Sequence, residues 1–318
     1  MKYPRRLDDL LRPRRAGRWR VVDLFAGCGG LSLGFEAAGF NVVGYEQDED
    51  ACATYGRNLR GLCHHKRLTC QTRLPKCDVI VGGPPCQPFS TNGQQLGRLD
   101  ERNGLEIFIA AVRQVRPKLW LLENVRGVLS RSRDYFCDVK ARLATLGYAV
   151  EARLLNAADY SVPQKRERVI VVGHRGGFLW PRRCSRRVTA GEALGRLATE
   201  VPPDAKFVTQ AMEAYIARYE RASCCARPRD LLLDSPARTL TCRNLAGATG
   251  DMHRIRMPDG RRRRLTVREA ARLQSFPDWF KCEGPEGKSL MQIGNAVPPL
   301  LALRLARACL QYLELEQL

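Results

Sequence analysis

Long apolar runs are missing from this 318-residue chain, and acidic residues are scarce in it. Its apolar stretches are too short to span a bilayer and no apolar leader opens it, so membrane insertion and secretion are the poorer readings. With 33 Asp and Glu against 53 Lys and Arg, the formal net charge is +20, which calls for a polyanionic partner. With no membrane segment to anchor, that partner is expected to be nucleic acid. Paired CxxC knuckles are absent too. The 13 cysteines are therefore read as reduced thiols of a cytoplasmic protein and not as a disulfide framework. Cys63, His64, His65, Cys70 and Cys77 crowd one segment, but their spacing fits no structural zinc pattern, and no metal is expected. No internal repeat or low-complexity stretch appears, and Met1 to Arg20, short, basic and proline-containing, reads as a mobile arm.

What is present is an alternation. "RVVDLFAG", "NVVGYE", "CDVIVGG" and "KLWLLENV" are short, continuously apolar runs, and segments with helical spacing separate them. "LEIFIAAVRQVRP" is one such helix, stopped by Pro117, and "RERVIVVGHR" closes the series. Continuous apolar strands alternating with helices indicate an α/β doubly wound sheet covered on both faces, here ending near Arg175. From Gly176 to about Arg264 the chain is rich in Arg, Pro and Ser, with one helical stretch around "TQAMEAYIARYERA", and reads as a second, smaller and irregular domain. A helix should start at Thr266, capped through Glu269. "SLMQIGNAVPPLLALRLARACLQYL" reads as a loop leading into an amphipathic helix.

Three motifs carry chemistry. "DLFAGCGG" (Asp23 to Gly30) is a glycine-rich turn after a strand and before a helix, and Glu46 ends the next strand, placed for ribose hydroxyls. The third glycine of the dinucleotide fingerprint would fall at Ser32, so an adenosine cofactor without a pyrophosphate fits better. "VIVGGPPC" delivers Cys86 to the carboxyl end of a strand, where ligands of open α/β sheets bind. A thiolate there is a strong nucleophile. Glu123 of "ENV" should project from the same edge. In "QKRER", Gln164, Arg166 and Arg168 enter a buried strand with both arginines on one face, suited to phosphate or a base carbonyl.

Together these residues resemble the cytosine-5 DNA methyltransferase family, in the family's order and over nearly the whole chain, most closely its bacterial restriction-modification methylases. The carriers are "DLFAGCGGLSLGFEAAGF", "PPCQPFS" followed by "DERNGL", "ENV", "QKRER", "RRLTVREAARLQSFPD" and "QIGNAVPP". The resemblance implies a Rossmann-like S-adenosyl-L-methionine-dependent methyltransferase domain at 1–175, completed by 286–318, and a target-recognition domain at 176–285. It makes Cys86 the nucleophile that adds to cytosine C6, Glu123 the group at N3 and the amino group, and Arg166 and Arg168 the charges near the cytosine carbonyl. Cofactor positions carry over as Phe25, Gly27, Cys28, Gly30, Glu46, Pro85, Leu105, Asn295 and Val297. Duplex DNA contact falls on Gln87 and Ser90 in a closing loop hinged at Gly93 and Gly97, on Thr239, Thr241, Arg243 and Asn244, and on the run Arg261 to Arg264. A monomer beside a cognate restriction endonuclease is the implied setting.

There is one departure. Such a family usually has an acid before the catalytic strand to bond the adenine amino group, yet no Asp or Glu occurs between Asp50 and Asp78. A backbone carbonyl, Thr69 or Gln71 is expected to replace it. Competing readings fare worse. An RNA-modifying relative should carry a late Cys-Phe-Thr signature, which is missing; a silent DNA-binding scaffold should have lost the thiol or the carboxylate; a dehydrogenase leaves "PPCQPFS" unexplained.

Overall fold

The computed structural model describes residues 2–15, 17–85, 104–130, 132–222, 224, 229–247 and 250–315. The apolar runs become β1 (Arg20–Leu24), β2 (Asn41–Glu46), β4 (Val79–Gly82) and β5 (Leu119–Val125), joined by β3 (Cys63–His65), β6 (Ala149–Asn156) and β7 (Glu167–His174). They form one seven-stranded sheet in the order β3-β2-β1-β4-β5-β7-β6. The first five strands pair in parallel, and β7 lies antiparallel between β5 and β6. This is a mixed α/β sheet of Rossmann-like type.

Strand alternation divides the apolar side chains between the faces. Val21, Val79, Val81, Leu119 and Leu121 join α2 (Gly30–Ala37) and α11 (Pro299–Leu315) in one core. Val22, Leu24, Ile80, Trp120 and Leu122 join α4 (Gly104–Val115) and α5 (Arg133–Ala144) in another. Gly34 lets α2 and α11 meet closely: a Cβ there would lie 2.4 Å from the Leu303 nitrogen. The C-terminal helix thus covers the first strand's face.

A third core is shared across the chain. Ala26, Cys28 and Leu33 near the glycine turn, with Tyr55 and Leu59 around α3 (Glu49–Asn58), pack with Leu194, Leu240, Ile255, Leu273, Phe276 and Ile293. The elements between are α6 (Ala190–Leu194), α7 (Gln210–Ala222), α8 (Cys242–Ala246), the pair β8 (Arg254–Arg256) and β9 (Arg262–Arg264), and α9 (Val267–Leu273). Thr266 and Glu269 form the expected capping box on α9.

Two expectations are corrected. Most of the segment read as a mobile arm is ordered: α1 (Tyr3–Leu10) buries Leu7 and, just beyond it, Leu11, and its Tyr3 hydroxyl donates to the Ser161 carbonyl (3.0 Å). Asp8 accepts from the Asp278 N–H at 2.7 Å, tying α1 to the segment after α9. The stretch read as a loop before the last helix is itself helical, α10 (Glu286–Asn295), with Leu290 and Ile293 buried at i, i+3 spacing.

Candidate active site

The chain leaves β1 through Phe25 at φ 61°, Gly27 at φ 55° and Gly29 at φ 89° before entering α2. Glycine tolerates this left-handed region, whereas Phe25 must be held there by its surroundings. The hold comes from β2: the Ala26 N–H donates to the Tyr45 carbonyl (3.0 Å) and the Gly27 N–H to Glu46 Oε2 (2.8 Å). Glu46 Oε1 accepts from the N–H groups of Gln47 (2.7 Å) and Asp48 (2.8 Å). Three backbone donors therefore aim the carboxylate, and it retains acceptor capacity for a further hydroxyl. Gly30 serves by approach: a Cβ there would lie 2.4 Å from the Val297 carbonyl oxygen, so the "GNAV" segment closes directly onto the turn.

Beside this turn a cavity of about 750 Å³ opens at the carboxyl ends of β1, β2, β4 and β5. Phe25, Gly27, Cys28, Glu46, Pro85, Asn295 and Val297 line it, together with Glu123, Arg166, Arg168 and Thr241. Leu105 is buried in α4 behind this wall. Cys28 is buried as well, which pushes its thiol up, and its sulfur lies 3.7 Å from the Gln292 carbonyl. Cys86, Gln87, Ser90, Gly93 and Gly97 lie outside the described residues.

Glu123 and Arg168 form the polar end of the cavity. Arg168 sits opposite Val125 and Glu123 opposite Ile170, so the two are diagonal neighbours on antiparallel strands. Arg168 Nε meets Glu123 Oε1 at 2.8 Å, and both side chains are about 12% exposed. Gly83 leaves room for that carboxylate, since a Cβ there would stand 3.2 Å from Glu123 Oε2. Asn124, not singled out from sequence, donates from Nδ2 to the Pro84 carbonyl (3.3 Å) and so fixes the turn that leads to Cys86.

Arg166 differs from the expectation of a base-facing charge. Its guanidinium, 2% exposed, donates to the carbonyls of Leu240 (2.7 Å), Gly294 (3.1 Å) and Ala296 (3.1 Å). Burial, and then the Arg168 charge, pushes its pKa down. Arg166 is a positioning residue that ties "QKRER" to Leu240 and to the "GNAV" segment. Gln164 reinforces it, accepting from the Leu240 N–H (3.0 Å) and bonding Gln274, whose Nε2 holds the Ile293 and Ala296 carbonyls.

The DNA-contact set divides. The Thr239 hydroxyl donates to the Lys165 carbonyl (2.7 Å), and buried Asn244 completes a capping box with Thr241. Asn244 is committed internally, contrary to the expectation of groove contact, while Thr239 and Thr241 are half-buried and Arg243 is exposed. Of the run Arg261 to Arg264, expected on phosphates, the last three are committed, while Arg261 stays exposed. Arg261 pairs with Asp259, Arg262 with Glu213 and Asp230, and buried Arg263 bidentately with Glu269, while Arg264 holds the Leu245 and Ala246 carbonyls. Neither Thr69 nor Gln71 lines the cavity; Lys66, Arg67 and Leu68 do. Among the described residues no three His, Cys, Asp or Glu side chains are grouped to hold a metal, and no helix is long and apolar enough to cross a membrane.

A family model described as C-5 cytosine-specific DNA methylase matches residues 19–311. The chain is similar to the type II methyltransferase M.AplI of Arthrospira platensis, with 54% identity over 297 residues covering 92% of this chain and 86% of that protein. It is also similar to the type II methyltransferase M1.HphI of Haemophilus parahaemolyticus, with 33% identity over 327 residues covering 91% and 86%. Among solved structures, the Dnmt2 methyltransferase of S. pombe shares the fold at TM-score 0.68 and 20% identity, over 94% of this chain and 99% of that one.

Proposed function

The chain belongs to the C-5 cytosine-specific DNA methylase family, and from that premise we propose that it methylates C5 of a cytosine flipped out of a specific duplex DNA sequence, with S-adenosyl-L-methionine as donor. The observation that carries this reading is one cavity holding both Glu46, aimed by backbone donors, and the Glu123–Arg168 pair.

The cavity fits the donor on its own terms. A Cβ at Gly27 would meet nothing within 4 Å, so the turn leaves open space beside Glu46. Asp23, buried on the cavity wall, keeps one carboxylate oxygen without a partner. Phe25, Gly27, Cys28, Pro85, Asn295 and Val297 would enclose the donor, Glu46 would take its ribose hydroxyls, and Gly30 and Leu105 would support the wall from behind. When bound, S-adenosyl-L-methionine supplies an electrophilic sulfonium methyl.

Cytosine C5 is too weak a nucleophile to accept that methyl unaided. The Cys86 thiolate forms a bond to C6, and the C5=C6 electron pair becomes available at C5. Glu123 holds the proton at N3 and accepts from the exocyclic amino group, so negative charge does not accumulate on the ring. Arg168 keeps Glu123 in place and presents a fixed positive charge, and Arg166 holds their strand entrance to the "GNAV" segment. After methylation a base removes the C5 proton, the S–C6 bond breaks and the thiolate leaves. Residues 1–175 with 286–318 perform this chemistry, and 176–285 select the sequence, with Thr241 and Arg243 nearest to that task. The protein acts in the cytoplasm as a monomer, as the modification partner of a restriction endonuclease.

The test is to incubate the protein with S-adenosyl-L-methionine and, in parallel, unmethylated genomic DNA and bulk tRNA, then map 5-methylcytosine at base resolution. One short recurrent DNA motif, blank with Cys86→Ser, supports the proposal. Methylated tRNA with blank DNA overturns the DNA assignment, and blank lanes on both overturn the activity.

A further inference from the structure

The wall beyond Glu46 has the wrong charge for an amino group. Strand β3 leaves the sheet at His65, and the Lys66 N–H donates to the Glu46 carbonyl at 2.7 Å, which places the next residues directly beside the ribose carboxylate. Lys66, Arg67 and Leu68 line the cavity there, and Leu68 is buried as its apolar floor. Arg67 is exposed and makes no hydrogen bond or ion pair with another described residue. Besides Glu46 and the buried Asp23, the acid lining this side of the cavity is Asp48. It is spent on the Ala51 N–H (2.9 Å) and on Lys288 (3.3 Å), and those contacts, the helix cap first, hold its carboxyl below the usual range.

Adenine presents an N–H donor pair at position 6, flanked by acceptor nitrogens. A guanidinium repels the first and suits the second. The base edge that arginine matches best has an oxo group at position 6 beside the N7 acceptor, whereas an amino group beside N7 suits Asn or Gln.

We propose that Arg67 is a specificity residue of the cofactor site, contacting the acceptor edge of the purine, so that the site takes a 6-oxo purine nucleoside about as well as adenosine. This rests on the reading of the cavity as the S-adenosyl-L-methionine site. Among the described residues, Gln47 is a side chain on this wall suited to the adenine amino edge, lining the cavity next to Glu46.

Calorimetric titration with S-adenosyl-L-homocysteine and S-inosyl-L-homocysteine reads the purine directly, without turnover. The expected result is Kd values within about tenfold of one another for the wild-type protein. Arg67→Glu should then raise the ratio of inosyl to adenosyl Kd by a further tenfold or so, and Arg67→Ala should fall between. Arg67 is exposed, so these variants should melt with the wild type. A wild-type preference for the adenosyl ligand well beyond tenfold, or a ratio moved by Gln47→Ala and not by Arg67→Glu, overturns the proposal. Absence of binding by either ligand overturns it together with the cofactor reading.

Discussion

Glu123 owes its usefulness to its neighbours: Gly83 clears space for one oxygen and Arg168 pins the other, so the carboxylate is held in one orientation. Glu123→Gln keeps the shape but cannot hold a proton at N3. It should lower single-turnover methylation by about 10²- to 10⁴-fold, the range of a positioned acid or base, while calorimetry finds S-adenosyl-L-homocysteine affinity little changed. Asp23 shows the opposite use of a carboxyl. Burial pushes it up to about 7, opposed mainly by the Ser32 hydroxyl that donates to it at 2.6 Å. Its folded pKa exceeds the unfolded value, so the folded state retains a proton that the unfolded chain releases. Stability from this group is therefore present in acid and is lost as pH rises from the ordinary carboxylate range to about 7. In Asp23→Asn that loss should vanish: the melting temperature of the variant minus that of the wild type should climb between about pH 4 and 7 and level off above. A flat difference across that window would show that Asp23 does not titrate there.

At the scale of elements, α1 shows what sequence periodicity overlooks. Its apolar residues are few and its charges many, so alone it reads as a solvated arm, yet Leu7 at 1% exposure and Leu11 at 0% are core residues. Leu7→Ala should cost about 2–5 kcal/mol in denaturant unfolding, as for other leucines cut back in a packed core, whereas a mobile arm would register nothing. Strands β1, β2, β4, β5 and β7 were legible because burial on both faces demands continuous apolar runs, and α4 and α9 were legible from spacing and caps. Strand β3, "CHH", carries no β-branched residue and exists because β2 offers it an open edge. Helix α10 was hidden by the prolines that follow it, although Glu286 in its first turn and the Leu290–Ile293 spacing were available signals. The site was legible in the same uneven way. Glu46 and Glu123 stand at strand ends, where chain position alone points into the cavity. Arg166, by contrast, finds its carbonyl partners 74 to 130 residues away, beyond the reach of any local pattern.

For the whole molecule, the net charge of +20 overstates what is free to meet DNA. Between α7 and α9 arginine builds the interior. Arg254, fully buried, bridges Glu220 and Asp230; Arg262 pairs with Asp230 and Glu213; Arg263 lies against Glu269 with neither side chain exposed. Charges neutralised this way release no counterions when DNA binds, whereas an exposed arginine on a phosphate releases about one. Arg262 and Arg243 therefore make a discriminating pair. Arg243→Ala should lower duplex affinity and reduce the slope of log Kd against log salt by about one, with the melting temperature unchanged. Arg262→Ala should leave that slope alone and instead lower stability, because Glu213 and Asp230 lose a partner in a half-buried network. Fluorescence anisotropy across a salt series, paired with thermal melts, separates the two. If Arg262→Ala flattened the slope, the arginine run would be meeting phosphates after all, at the expense of the ion pairs that hold it in the free protein.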